Sequence, residues 1–150
     1  MHIRTMTDEQ SLALVRRAWL GHLACCHDGQ PYVVPVGYAY HADHLYCCAT
    51  EGQKIAWMRS NPSVCVEIED IASRQEWETV IVHGRFEELP ERPDTLDARI
   101  EAYDVLAKTR HWWQPAFSPT QRDIGERPIR PLFFRIAIQE MTGHRGAPVN

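Results

Sequence analysis

No stretch of this 150-residue chain reaches the ~20 consecutive apolar residues that a membrane-spanning helix needs. The chain also lacks a basic block: its formal net charge is -4, and no stripe of Lys and Arg offers a footprint for nucleic acid. The opening MHIRTMTDEQ has no apolar signal core and already carries acids, so the expected compartment is the cytoplasm. No CxxC pair occurs, and the 5 cysteines form an odd set with two adjacent doublets, Cys25-Cys26 and Cys47-Cys48. Neighbours on a strand point to opposite faces, so each doublet sends one thiol inward and one outward. A disulfide framework is excluded on that pattern, and the thiols read as small apolar residues in a reducing compartment. No GxSxG elbow and no HExxH helix is present, which removes the commonest hydrolase and metalloprotease signatures. The alternation of strands and helices that builds a parallel doubly wound sheet is missing as well.

What is present is a set of short period-two segments. The length suits a single domain over 1–150, one that buries about two-thirds of the surface its unfolded chain exposes. Thr7-Asp8-Glu9-Gln10 is a capping box, and Leu12, Val15 and Trp19 give helical spacing, which predicts a helix over 8–18. Residues 21–27 read as a strand closed by Asp28-Gly29, a hairpin turn signal. Tyr32, Val34, Val36, Tyr38 and Tyr40 alternate with Val33, Pro35, Gly37 and Ala39, which predicts one continuous second strand. A turn at 41–44 leads to a third strand over 45–50, and a short helix over 53–59 ends at Asn61-Pro62. Strands follow over 63–69 and 77–89, with Gly84 marking a bulge or a close approach. Pro93 suits a helix start, and Leu96, Ile100, Tyr103 and Leu106 predict an amphipathic helix over 93–109. Residues 111–131 carry four prolines and no period, the mark of a functional loop. The last strand is expected over 132–141, with Leu132, Phe134, Ile136 and Ile138 on one face and Thr142-Gly143 closing it. Six antiparallel strands with two to three helices favour a barrel or sandwich.

Three features carry chemistry. Thr50-Glu51-Gly52-Gln53-Lys54 places a hydroxyl, free backbone N–H groups at a helix start and an ammonium together, a set that suits a phosphate monoester. Arg59 is positioned to add to that positive field; the same residues also fit an ordinary solvated turn. Pro35 removes a ladder donor from its strand, which suits either a plain edge strand or a planar ligand seeking amide edges. Trp112-Trp113 either cap a flat aromatic ring or pin their loop to the core or to a second subunit. The His and Cys residues at 22–27 and at 41–48 are of the types that zinc takes, but strand alternation splits each group between two faces, and no metal is expected. His22 and His83 are the candidates for an acid or base, and no catalytic residue is assigned.

In their order and spacing, several of these pieces resemble the flavin-binding split-barrel proteins related to pyridoxamine 5'-phosphate oxidase, in the branch that includes the nitroimidazole-resistance proteins. The pieces are Leu20-Gly21-His22-Leu23-Ala24, Pro31 to Val36, Glu51-Gly52-Gln53-Lys54, Asn61-Pro62-Ser63-Val64, Trp77 to Arg85, Phe134-Arg135-Ile136 and Met141-Thr142-Gly143. The resemblance implies a mainly β fold, a six-stranded antiparallel split barrel with flanking helices. It also implies a homodimer and FMN bound at the subunit interface. By position, Val33, Val34, Pro35 and Val36 would line the isoalloxazine, and Ala49 and Thr50 would lie near the ring and ribityl chain. Gln53 and Lys54 would meet the phosphate, Thr79 would contact the flavin, and Trp113 would reach over from the second subunit. The larger oxidases have an arginine directly before the phosphate lysine, where this chain has Gln53, and their C-terminal substrate motif is absent. The function implied is a flavin-dependent oxidoreductase acting on a small molecule. The alternative is a protein of the same fold that carries flavin, deazaflavin or heme without turnover.

Overall fold

The computed structural model describes residues 1–109 and 131–149. Eight strands join in one antiparallel sheet: β1 (His2–Thr5), β2 (Leu20–His27), β3 (Gln30–Gly37), β4 (Ala39–His41), β5 (His44–Ala49), β6 (Ser63–Ile71), β7 (Trp77–Glu88) and β8 (Leu132–Ala147). Three helices accompany them: α1 (Asp8–Arg17), α2 (Gln53–Ser60) and α3 (Leu96–Ala107). The order across the sheet is β3-β2-β6-β7-β8-β5-β4, with β1 added to β8. The sheet rolls so that β3 and β5, far apart in that order, come into contact, giving the open barrel expected.

The inner face holds the main core. Leu23, Cys25, Val36, Leu45, Cys47, Val66, Ile68, Val80, Val82, Phe134 and Ile136 meet there. α1 closes one end of it. Its capping box is formed, with Gln10 N–H donating to Thr7 Oγ1 and Thr7 N–H to Gln10 Oε1. The helix buries Ser11, Leu14 and Val15, whereas Trp19 lies beyond it and is 63% exposed. The expected stripe is thus rotated, because the buried hydroxyl of Tyr38 donates to Val15 O at 2.7 Å and sets the helix against the barrel mouth.

Two strands more than expected are present. The second predicted strand is divided into β3 and β4 at Tyr38, whose N–H donates to Trp19 O. β1, the other addition, pairs with the far half of β8. β8 does not stop at Gly143. It continues to Ala147 because β1 and the first half of β7 both pair with that stretch. Gly143 marks a close approach instead: a Cβ there would lie 2.4 Å from Ser11 Oγ.

α3 begins at Leu96, later than the expected start at Pro93. It buries Ala102 and Leu106 against Tyr46, Leu89 and Phe133 in a second cluster. Of the predicted stripe only Leu106 is buried; Leu96, Ile100 and Tyr103 are exposed. The small Ala102 lets the helix approach the sheet, and Arg99 covers the Phe133 ring at 4.9 Å.

Candidate functional site

α2 follows β5 directly and leans on β2. Trp57 packs on Tyr32 at 5.4 Å and on His27 at 5.6 Å between ring centroids. Asn61 Nδ2 donates to Cys26 O at 3.0 Å, and its Oδ1 accepts from Ser63 N–H, which fixes the exit of the helix. The C-terminal half of α2 is therefore held against the β2–β3 hairpin, and its N-terminus follows the end of β5 after a short turn. Gly52 is its cap residue and supplies no side-chain hydrogen bond, so the first-turn N–H groups lack the usual side-chain partner. A Cβ at Gly52 would meet nothing within 4 Å, so the corner is open.

Lys54 is half-buried in this corner. Burial pushes the Cys47 thiol up to about 12 and raises that of Cys25, while the positive charge of Lys54 acts on both in the opposite direction. The ammonium thus sits near strands on both sides of the split. Among the described residues no carboxylate pairs with it. Arg59 differs. It donates to both oxygens of Glu88, at 2.8 and 2.7 Å, and to both of Glu51, at 3.2 and 2.8 Å. The addition of Arg59 to a phosphate field is thereby corrected: two carboxylates face one guanidinium, and its charge is spent locally.

Strand parity sorts the remaining positions. Val34 and Val36 face inward, whereas Val33, 62% exposed, and Pro35 face outward. β3 is an edge strand, as a proline in its middle requires. Ala49 is buried at the end of β5, and Thr50 and Gln53 border the Lys54 corner. Thr79 shares the outer face but sits on β7, three strands from β3, roughly 14 Å at the usual strand spacing. Within one chain it does not join the others. Trp113 lies outside the described residues. Each cysteine doublet splits as expected, with Cys25 and Cys47 buried and Cys26 and Cys48 less so. Among the described residues no three His, Cys, Asp or Glu side chains converge on one point. Nor is any helix among them long and apolar enough to cross a membrane.

Other polar pairs escaped sequence reasoning because their partners are distant in the chain. His22 Nδ1 lies 3.1 Å from Glu67 Oε2 across the β2–β6 pairing. Arg17 donates to Asp70 at 3.1 Å and to Glu78 at 2.5 Å. A cavity of about 410 Å³, lined by Leu14, Ala18, Trp19, Leu20, His22 and Glu69, flanks the Arg17–Asp70 bridge. A second, of about 290 Å³ and lined largely by charged residues, lies beyond the same bridge toward Trp77 and Arg145.

Comparison with known proteins places these features in a wider set. The family model described as pyridoxamine 5'-phosphate oxidase matches residues 7–145. An uncharacterized protein of Rhizobium meliloti is 41% identical over 144 residues, covering 95% of each chain. The crystal structure of an FAD-binding protein from Mesorhizobium loti is 38% identical, covers 98% of this chain and 100% of its own, and superposes with a TM-score of 0.79. A structure from Bacteroides thetaiotaomicron, described as a 5-nitroimidazole antibiotic resistance protein, shares the fold at 17% identity and a TM-score of 0.66, covering 97% of this chain and 89% of its own.

Proposed function

Because the chain belongs to the pyridoxamine 5'-phosphate oxidase family, we propose that it binds a flavin, FMN, and serves as a flavin-dependent oxidoreductase acting on a small molecule. The observation that carries this reading is the Lys54 corner: a half-buried ammonium with no carboxylate partner among the described residues, beside a helix start without a side-chain cap. An ammonium without a carboxylate partner is open to a phosphate dianion, which would also accept from the N–H groups of the uncapped helix start. Those residues fit the group. Gln53 and Lys54 would hold the phosphate, with Ala49 and Thr50 beside the ribityl chain. Val33 and Pro35 would present their outer surface, and Val34 and Val36 their backbone, to the ring.

When bound, the flavin supplies hydride or electron transfer. The chain's own part is to grip the phosphate, orient the ring on a rigid edge strand and exclude water from one side. Thr79 and Trp113 enter as contacts from a second copy, so the proposal includes a homodimer. The outer face supports this: α3 lies over β4, β5 and β8, whereas Val33 on β3 is 62% exposed.

The Mesorhizobium relative is described as FAD-binding. Both flavins carry a phosphate next to the ribityl chain, so the corner suits either, and the experiment separates them. Protein purified from cells should be yellow, and chromatography of the acid-released chromophore should give FMN. Release of FAD alone would reassign the cofactor to the dinucleotide. A colourless protein that takes up neither flavin would overturn the proposal. Turnover is checked by reduction with NADPH in the presence and absence of electron acceptors; a flavin that stays oxidised under every donor supports the carrier alternative.

A further inference from the structure

We propose that the 410 Å³ cavity at the α1 end of β2 seats the substrate, and that it takes a small aromatic molecule, neutral or cationic, offering an N–H or O–H to His22. This rests on the flavin reading above. The two ends of β2 have different surroundings. Cys26 and His27 lie against the Trp57–Asn61 end of α2, whereas Leu20 and His22 line the cavity. Across the β2–β3 pairing, Ala24 sits opposite Val33 and His22 opposite Pro35. A ring held along Val33 to Pro35 would therefore lie across from Ala24 and His22, and His22 also lines the cavity.

The walls specify the occupant. Leu14, Ala18, Trp19 and Leu20 supply an apolar side. Trp19 is 63% exposed and Leu20 40% exposed, so an indole face and an isobutyl group are available for contact with a flat ring. The polar side is acidic. The Arg17 guanidinium is already bound to Asp70 and Glu78, and Glu69 and Glu67 add two more carboxylates nearby. A carboxylate only accepts, so in the contact with Glu67 Oε2 it is His22 Nδ1–H that donates. With Nδ1–H turned to Glu67, Nε2 is the ring nitrogen left to meet an N–H or O–H of a ligand. An acceptor set among acids favours a donor-bearing neutral or cationic ligand and disfavours an anion.

Benzylamine and benzoate, which present one phenyl ring with opposite charge, are the probes. In apoprotein, benzylamine should shift the NMR signals of the Trp19 indole N–H and the His22 ring. It should bind roughly tenfold or more tightly than benzoate, the value of one charge-assisted hydrogen bond. His22→Gln and Trp19→Ala should each weaken it, with thermal unfolding checking that both variants are folded. In flavin-loaded protein the same titration should displace the flavin absorbance band. Benzoate binding as tightly, or benzylamine shifts that survive both substitutions, would overturn the proposal. A flavin band that does not respond while Trp19 does would overturn the cavity as substrate seat and leave flavin binding standing. Failure to load any flavin would overturn both.

Discussion

Lys54 and Arg59 share one short helix, yet only Lys54 keeps its charge free of carboxylates among the described residues. Lys54→Ala should weaken FMN binding by about 1.5–3 kcal/mol, the worth of a hydrogen bond to a charged group, read by fluorescence titration. Unchanged affinity would place the phosphate elsewhere. Glu88 gives a pH test. Its hydrogen bonds from Arg59 hold its carboxyl below the ordinary glutamate range. A depressed folded value means that the stability it contributes is present above the ordinary pKa of about 4.3 and is lost as pH falls through the lower, folded one. Glu88→Gln should therefore be less stable than the parent at neutral pH, with the difference closing in acid, by urea unfolding at both. A difference that persists in acid would show that the pair is not linked to the proton. The clamp was not legible in the sequence, since nothing local marks Glu88 as the partner of Arg59. The Lys54 corner was, because the turn, the glycine and the lysine are contiguous.

Secondary structure was readable wherever the pattern was local. Asp28 and Gly29 both take positive φ, 49° and 76°, as the hairpin signal implies. Ala42 and Asp43 do the same without a glycine. The last strand faces the core with Leu132, Phe134, Ile136 and Ile138 as expected, but its extension past residue 141 was hidden for a physical reason. Gly84 pairs with Ile138 and His83 with Glu140, so Gln139 is the extra residue of a bulge. Before it Phe134 and Ile136 face the core; after it Met141 does, and the parity of β8 switches. A period-two reading cannot carry through such a switch. Gly84 is needed at this bulge, because a Cβ there would lie 2.5 Å from Ala137 O and 2.5 Å from Ile136 Cγ2. Gly84→Ala should cost about 1–3 kcal/mol, the usual range for overpacking, by urea unfolding. Flavin affinity of the folded fraction should stay unchanged; a fully stable variant would mean that β8 yields there. α3 was placed in sequence but its buried face was not, because Arg99 and Ala102, rather than the largest apolar residues, set how it docks.

For the whole molecule, the barrel class was legible from strand count and turn spacing. How its edges meet was not, because β3–β5 contact and the addition of β1 depend on residues far apart in the chain. The same remoteness hid the His22–Glu67 pair and the cavity beside it. The outer face of the β3-β2-β6-β7 group, which bears Val33 and Ile81 while α3 lies over β4, β5 and β8, is where a second copy would sit. Analytical ultracentrifugation of flavin-loaded protein should give a dimer; a monomer with full flavin content would remove Thr79 and Trp113 from the site. One further property follows from β8. It lies between β7 and β5 and also receives β1, yet it comes later in sequence than all three. On the ribosome, which issues the chain from its N-terminus, the hairpin β4–β5 must wait without its neighbour while the β3-β2-β6-β7 group assembles. The barrel therefore cannot close until β8 has emerged, when one long ribbon joins two groups of strands made before it.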